Sequence, residues 1–406
     1  MVLVINTGSS SIKMSLFGMP GERVVAEGLL EQIDDRAELH WRIGSERVAT
    51  TLQGAAESRI QQMLTPLLHQ VDRRHIIAVG HRVVHGGERF IEPTLLTGAV
   101  LAELETLSHL APLHNPANIN GIRAAMHYLQ SVPHIAVFDT AFHHAMPEYA
   151  SIYATPYSWY RDYGVRRYGF HGTSHHYVAE EAARLLGREL SACHLLSAHL
   201  GNGCSAAAIV DGKSVDTTMG LTPLEGLMMG SRSGDVDPGV FDFIANKTGM
   251  SVAEITGALN HKSGLLGVSE RSNDMRTLLR ASEEGDRQSR LAIEIFCYRL
   301  AKALAGLALS LDRIDGVIFT GGIGEHAAPI RSKTVQHLAL LGIKIDEQRN
   351  GCHGHDSHCL ISPADAGVAI MVIATAEERM IARYVLQQLS QSNGAEHSNG
   401  SSASAE

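Results

Sequence analysis

The sequence predicts an α/β protein built from two related domains. Three observations carry this. Short apolar runs alternate with amphipathic stretches along most of the chain. A strand, a turn of small residues and a second strand occur at the start, and a similar unit recurs around Leu195 to Val210. The chain has 406 residues, and at roughly 150 residues per domain it has room for two or three domains.

Taken in order, Val2 to Ile5 is a continuous apolar run, as a buried strand requires. Thr7-Gly8-Ser9-Ser10-Ser11 is a turn of small polar residues, and Ile12, Met14 and Leu16 then alternate with Lys13 and Ser15 as a half-buried strand. Ile135 to Phe138 is a strand that ends in the carboxylate Asp139. Thr173 or Ser174 can cap a helix that runs to Leu186 and stops at Gly187. Leu195 to Ala198 leads into His199-Leu200-Gly201-Asn202-Gly203, and Ser205 to Val210 ends in an Asp211-Gly212 turn. Gly316 to Thr320 leads into Gly321-Gly322-Ile323-Gly324-Glu325 and a helix. Val368 to Ile373 is the last strand. Thr375 and Glu378 fit the capping box T-x-x-E, which leaves Glu377 available for other work. From Gln391 to Glu406 the chain is Ser-, Asn- and Gly-rich without apolar period, which predicts a disordered tail.

Composition excludes several classes. The net charge is −9, with Lys+Arg 34 against Asp+Glu 43, so a nucleic-acid surface is not the main function. The longest apolar stretch, Gly367 to Ala376, is about half the ~20 residues a membrane span needs. The opening residues carry no basic segment of a secretory signal. Five cysteines without framework spacing point to a reducing cytoplasm.

Three Gly-rich turns follow apolar strands: Thr7 to Ser11, Leu200 to Gly203, and Gly321 to Gly324. Glycine lets backbone N–H groups approach an anion. Each turn alone reads as an ordinary tight turn; the three together make phosphate binding an equal reading. Neither G-x-x-x-x-G-K-S/T nor G-x-G-x-x-G occurs at these turns, so a nucleotide would be held by another scheme. Four further segments mix Arg and His with Gly: Gly80 to Glu88, Ala111 to Pro116, Arg166 to His176, and Met228 to Pro238. Such segments suit a pocket for an anion. The Cys352 to Cys359 stretch holds two Cys and three His, but its spacing matches no common zinc site. A G-x-S-x-G hydrolase elbow is missing.

Together these strings resemble the acetate kinase family, the acetate and propionate kinases. The matching segments are Asn6 to Lys13, Gly80 to Gly87, Ala111 to Pro116, Val137 to Thr140, Tyr168 to His175, His199 to Gly203, Gly226 to Asp237 and Phe319 to Glu325. The resemblance implies two duplicated ribonuclease H-like domains of the actin and sugar-kinase type, with the active site in the interdomain cleft. The expected boundaries are 1–143 plus 377–390 for the first domain, 144–376 for the second, and 391–406 for the tail. It implies a Mg²⁺-dependent transfer (Mn²⁺ as an alternative metal) of the ATP γ-phosphoryl to acetate, giving acetyl phosphate and ADP, by a cytoplasmic homodimer. Propionate kinase is the runner-up, and a nucleotide-gated ATPase module is the alternative from a different class.

The resemblance also assigns residues. Arg82 and Arg232 would hold the carboxylate and the phosphoryl group, and His171 would hydrogen-bond that group. Asp139 is the active-site carboxylate. A carboxylate substrate is already ionised near neutral pH, so Asp139 is expected to orient an arginine or a metal-bound water. Asn6 and Glu377 match the metal site. Lys13, His199, Leu200, Gly201, Asn202, Gly203, Asp274, Met275, Arg276, Gly322, Ile323, Gly324, Glu325 and His326 match ATP-binding positions. His114 and Thr173 match substrate-side residues near the phosphates. Val84 would line the pocket for the acid's alkyl end, where a branched side chain favours acetate over propionate. His326 stands where the family usually has Asn, and Thr7 where it has a smaller residue.

Overall fold

The computed structural model describes residues 1–8, 11–33, 36–52, 56–112 and 114–400. Ser9 and Ser10, in the first small-residue turn, lie outside the described residues. The chain divides into two compact units, Met1–Ala141 with Ala376–Glu406, and Phe142–Thr375. The divisions fall between 141 and 142 and between 375 and 376, where 143/144 and 376/377 are expected from the sequence.

The first unit is built on β1 (Val2–Thr7), β2 (Ser11–Gly18), β3 (Arg23–Ile33), β4 (Arg36–Ile43), β5 (Glu46–Leu52), β6 (Ala78–Val83), β7 (Thr94–Leu95) and β8 (His134–Phe138). The sheet order is β5-β4-β3-β2-β1-β6-β8-β7. β1 to β5 form an antiparallel meander, and β6 and β8 join β1 in parallel. The unbroken run Val2 to Ile5 follows from burial on both faces. Leu3 and Ile5 pack with Ile60, Met63 and Leu67 of the helix Ala56–Gln70, while Val2 and Val4 pack with Ile381 and Val385 of the last helix. Alternate residues of one strand thus serve two cores, because strand side chains alternate faces.

The second unit holds β9 (His194–Leu200), β10 (Cys204–Val210), β11 (Lys213–Thr217), β12 (Gly316–Thr320) and β13 (Ala369–Val372), in the order β11-β10-β9-β12-β13. β9, β10 and β11 are antiparallel, and β12 and β13 are added in parallel. Within the larger sheet, β3-β2-β1-β6-β8 has the same pattern: an antiparallel three-strand meander extended by two parallel strands from its first strand. This repeated order is the duplicated α/β architecture expected from the sequence. Every residue of β9 and β12 is buried. The helices Gly172–Leu186 and Arg287–Ala308 pack against this sheet.

Three local expectations change. The helix expected to be capped by Thr173 or Ser174 begins at Gly172, after His171 in a left-handed conformation (φ 57°), and no side chain caps it. It ends at Gly187 as expected, also left-handed. The Thr375–Glu378 capping box gives way to other bonds. The Thr375 hydroxyl meets Ser174 Oγ at 2.8 Å, Glu378 pairs with Lys13 at 3.0 Å, and the amide of Met380 donates to the carbonyl of Ala376, which places the helix start one residue later. Finally, order does not stop at Gln391: the last helix runs Glu377–Gly400, and 401–406 lie outside the described residues. Extending a helix whose first turns are packed needs no new nucleation, and Met380, Ile381, Ala382 and Val385 are buried.

Candidate active site

In the first unit, the parallel strands β1, β6 and β8 end side by side. Their carboxyl ends carry Asn6, Arg82 and Asp139, the position where open α/β sheets place ligands. Asp139 is 1% exposed and grips Arg82 at two points: Arg82 Nε donates to Oδ1 at 2.9 Å and Nη2 donates to Oδ2 at 2.5 Å. Arg82 Nη1 donates to Asn6 Oδ1 at 3.2 Å. Burial pulls the Arg82 pKa down, but the charge and hydrogen bonds of Asp139 outweigh it, and the net shift is upward. Of the partners the sequence left open for Asp139, the structure shows Arg82.

The segment after Arg82 is stitched to the helix Asn115–Tyr128. Asn118 Oδ1 accepts from the amide of Val84 at 3.1 Å, and Asn115 Oδ1 accepts from the amide of His85 at 3.1 Å. Val84 is buried, and His114 sits half-buried at the start of the same helix. Lys13 lies opposite Asn6 in the β1–β2 register and pairs with Glu378. It is therefore in a different unit from the other residues matched to the nucleotide.

Glu377 is half-buried in the first turn of the last helix. Burial pushes its carboxyl up to about 7; the Arg82 charge opposes this, and the Asp139 and Glu378 charges add to it. A desolvated carboxylate among other carboxylates fits a hard cation, and one Glu with one Asn leaves room for waters and phosphate oxygens around Mg²⁺. Asn6 and Glu377 thus fit the metal role. Among the described residues, no group of three or more His, Cys, Asp and Glu is arranged to hold a metal, so the Cys352 to Cys359 segment forms no such site.

In the second unit, His171, Thr173, His199, Gly203 and Arg232 converge. Arg232 Nη1 donates to the carbonyl of Pro223 at 3.0 Å, and among the described residues no carboxylate pairs with it. Burial lowers its pKa. A Cβ added at Gly203 would lie 3.5 Å from both Arg232 Nη1 and His171 Nε2. The two side chains therefore border the same space beside Gly203. The His171 ring stacks on His199 with centroids 4.3 Å apart, and His199 Nδ1 lies 2.8 Å from Ser174 Oγ. Thr173 is 2% exposed, and its Oγ1 has no hydrogen-bond partner among the described residues. It sits in the first turn of a 15-residue helix, whose N-terminal N–H groups favour an anion.

The loop that carries Arg232 is held rigidly. The amide of Gly230 donates to the carbonyl of Asn202, and that of Met229 to the carbonyl of Arg232. A Cβ on Gly264, which has φ +62°, would come within 2.2 Å of the Met229 carbonyl oxygen.

A cavity of about 500 Å³ lies beside this group in the same unit. Gly201, Asn202, Asp274, Met275, Arg276, Gly322, Ile323 and His326 all line it, and all are residues the sequence matches to the nucleotide. Asp274 also caps the helix Met275–Glu283 by accepting from the amide of Thr277. Leu200 and Gly324 are buried beneath. Glu325 Oε1 accepts from the amides of Gly321 and Thr375 at 3.0 and 3.1 Å, so its carboxylate braces the turn.

Sequence reasoning passed over Asn118, Ser205 and Arg331, and took His175 only as part of the Arg166 to His176 segment. Asn115 and Asn118 are three apart on one helix face, a spacing that could have drawn attention. Arg331, fully buried, donates to the carbonyls of Gly324 and Glu325 at 2.7 and 3.0 Å and to Asn350 Oδ1 at 2.8 Å. Burial lowers its pKa to about 10. Nothing in its local sequence marks it.

The acetokinase family model matches residues 1–383. The acetate kinase of Deinococcus radiodurans is 50% identical over 383 residues, covering 94% of this chain and 96% of that protein. The acetate kinase of Ectopseudomonas mendocina is 49% identical over 382 residues, covering 94% and 97%. Among solved structures, a propionate kinase from Francisella tularensis superposes with a TM-score of 0.89 at 43% identity, covering 94% of this chain and 98% of that one. The acetate kinase of Porphyromonas gingivalis gives 0.88 at 39%, covering 96% and 99%. With the model match and near-full-length identity of about half, the chain belongs to the acetokinase family.

Proposed function

We propose that this chain is an acetate kinase that moves the γ-phosphoryl group of ATP reversibly to acetate, giving acetyl phosphate and ADP. The observation that carries the reading is Arg232, which has no carboxylate partner among the described residues, bordering the space beside Gly203 with His171 Nε2. Phosphoryl transfer spreads charge over the equatorial oxygens and is catalysed by positioning and positive charge. Arg232 supplies the charge, His171 a hydrogen bond, and Thr173 Oγ1 with the helix N-terminus further donors. Arg82, held by Asp139, binds the acid's carboxylate, and Val84 closes the space for its alkyl end. The cavity lined by Asn202, Met275, Ile323 and His326 takes the nucleoside.

Asn6 and Glu377 would hold a divalent cation, Mg²⁺ in our reading, with Mn²⁺ as a substitute. When bound, it neutralises phosphate charge as the γ-phosphoryl leaves. A homodimer is supported by the exposed aromatic residues Tyr149, Tyr157, Trp159 and Tyr163, which a partner would cover. Five free cysteines suit a reducing cytoplasm, and no described helix is long and apolar enough to cross a membrane.

The experiment is a hydroxylamine trap with ATP and Mg²⁺ across acetate, propionate and butyrate. Acetyl hydroxamate forming faster than the propionyl product supports the reading. Preference for propionate would favour the second reading, which the likeness to the Francisella tularensis propionate kinase raises.

A further inference from the structure

Behind His171 lies a line of buried serines and histidines. Ser205 Oγ is 2.9 Å from His171 Nδ1 and 2.8 Å from His175 Nε2. His175 Nδ1 is 2.9 Å from Ser197 Oγ. Ser197, Ser205 and His175 are all 0% exposed. The line joins three elements: β9 carries Ser197, β10 carries Ser205, and the helix Gly172–Leu186 carries His175.

We infer that Ser205 and His175 are positioning residues that hold His171 neutral with its proton on Nε2. This rests on the reading that His171 hydrogen-bonds the transferring phosphoryl group. Phosphoryl oxygens can only accept, so the nitrogen facing them must donate. A neutral imidazole with Nε2–H must accept at Nδ1. Ser205 has one proton, so it donates that to His171 and accepts from His175 Nε2–H. His175 Nδ1 then accepts from the Ser197 hydroxyl. Every member of the line is satisfied in this assignment; the reversed line is satisfied too, and only this direction leaves Nε2–H to face the phosphoryl oxygens.

The alternative is an imidazolium at His171. The groups facing it argue against that. Arg232 shares the space at Nε2, and His199 is stacked on the ring. His175, facing it through Ser205, is held neutral, since burial and the neighbouring His143 and His199 depress its pKa well below the usual imidazole value. The Cys204 thiol bonds the Gly201 carbonyl, and burial pushes its pKa up to about 12, so it brings no negative charge. The relay thus gives a donor at Nε2 without adding a second positive charge beside Arg232.

The test is ¹⁵N NMR of histidine-labelled enzyme with matched kinetics on Ser205→Ala and Ser205→Thr. The His171 signal is identified by its loss in His171→Gln. The wild type is expected to show His171 protonated at Nε2 and aprotic at Nδ1. Ser205→Ala should mix the tautomers and lower kcat about 10- to 100-fold at pH 8, part of what a positioned donor contributes, with both KM values within about twofold. The deficit should shrink towards acid pH, where a doubly protonated ring donates from both nitrogens. Ser205→Thr should restore both signals and rate. An Nδ1–H tautomer in the wild type, readable even if the Ala variant does not fold, overturns the inference. So does an unchanged tautomer in Ser205→Ala. A shifted tautomer with unchanged kcat would uphold the relay and refute the role of His171 in transfer.

Discussion

Arg82 of the first unit and Arg232 of the second are held in opposite ways. Arg82 is neutralised: Asp139 takes Nε and Nη2, and Asn6 takes Nη1. Arg232 is held by the carbonyl of Pro223 and the sulfur of Met229, neither of which carries a charge. A buried arginine matched by a carboxylate gains little more from a weakly charged ligand, and its orientation is fixed. A buried arginine matched only by dipoles gains most from an arriving anion. In the function we propose, the difference would separate the tasks: Arg82 preset to orient a singly charged carboxylate, Arg232 free to answer the charge that builds up on the phosphoryl group.

The largest effects should test this contrast. Arg232→Ala and Arg82→Ala are each expected to lower kcat by on the order of 10²–10³. They should differ in KM: the Arg82 variant raises KM for acetate, whereas the Arg232 variant loses kcat with little change in KM. Steady-state kinetics on both variants check this, and matching KM effects would remove the distinction. Next in size, Glu377→Ala should lose on the order of tenfold or more in activity at limiting Mg²⁺, recovered in part at high Mg²⁺. Glu378→Ala should lose its pair with the half-exposed Lys13 and relieve the repulsion that Glu378 exerts on Glu377, with a smaller loss of activity and little change in the Mg²⁺ requirement. Metal titrations of the two variants separate them, and a reversed order would move the metal site to Glu378.

Smaller effects sharpen the substrate side. The wild type should prefer acetate to propionate by about tenfold, the worth of one methylene in a closed pocket. Val84→Ala should narrow or reverse that ratio through kcat/KM for propionate. An unchanged ratio would place the choice of acid elsewhere, near Pro223 to Met228. Smallest, Arg331→Met should raise KM for ATP several-fold and leave KM for acetate alone, because it frees the carbonyls of Gly324 and Glu325 beneath the cavity. It should also lower the melting temperature, since unmet buried carbonyls cost about 1–3 kcal/mol each.

What the sequence made legible follows the same physics. Arg82, His171 and Arg232 lie in strings dense in Gly, Arg and His, and Asp139 ends an apolar strand; local composition reveals both. The duplicated sheets were legible because apolar runs and small-residue turns repeat. The Ser205 line was not, because its two serines come from β9 and β10 and its histidines from a helix and the residue before it, and they meet only through sheet register and packing. Arg331 was hidden for the same reason: its partners are reached through packing. The helix start at Gly172 was misread because capping rules favour Thr173 or Ser174, whereas His171 takes a left-handed turn that leaves Thr173 Oγ1 unpaired and buried. The site overrides the local rule there, as functional segments often do.

The central claim is that the charge at Arg232 and His171 serves transfer to a carboxylate and not to water. ADP release and hydroxamate formation measured together, with and without acetate, test it most directly. The account expects one hydroxamate per ADP with acetate present, and almost no ADP without it. ADP released at the same rate with no carboxylate present would contradict the account and mark the chain as a nucleotide-gated ATPase.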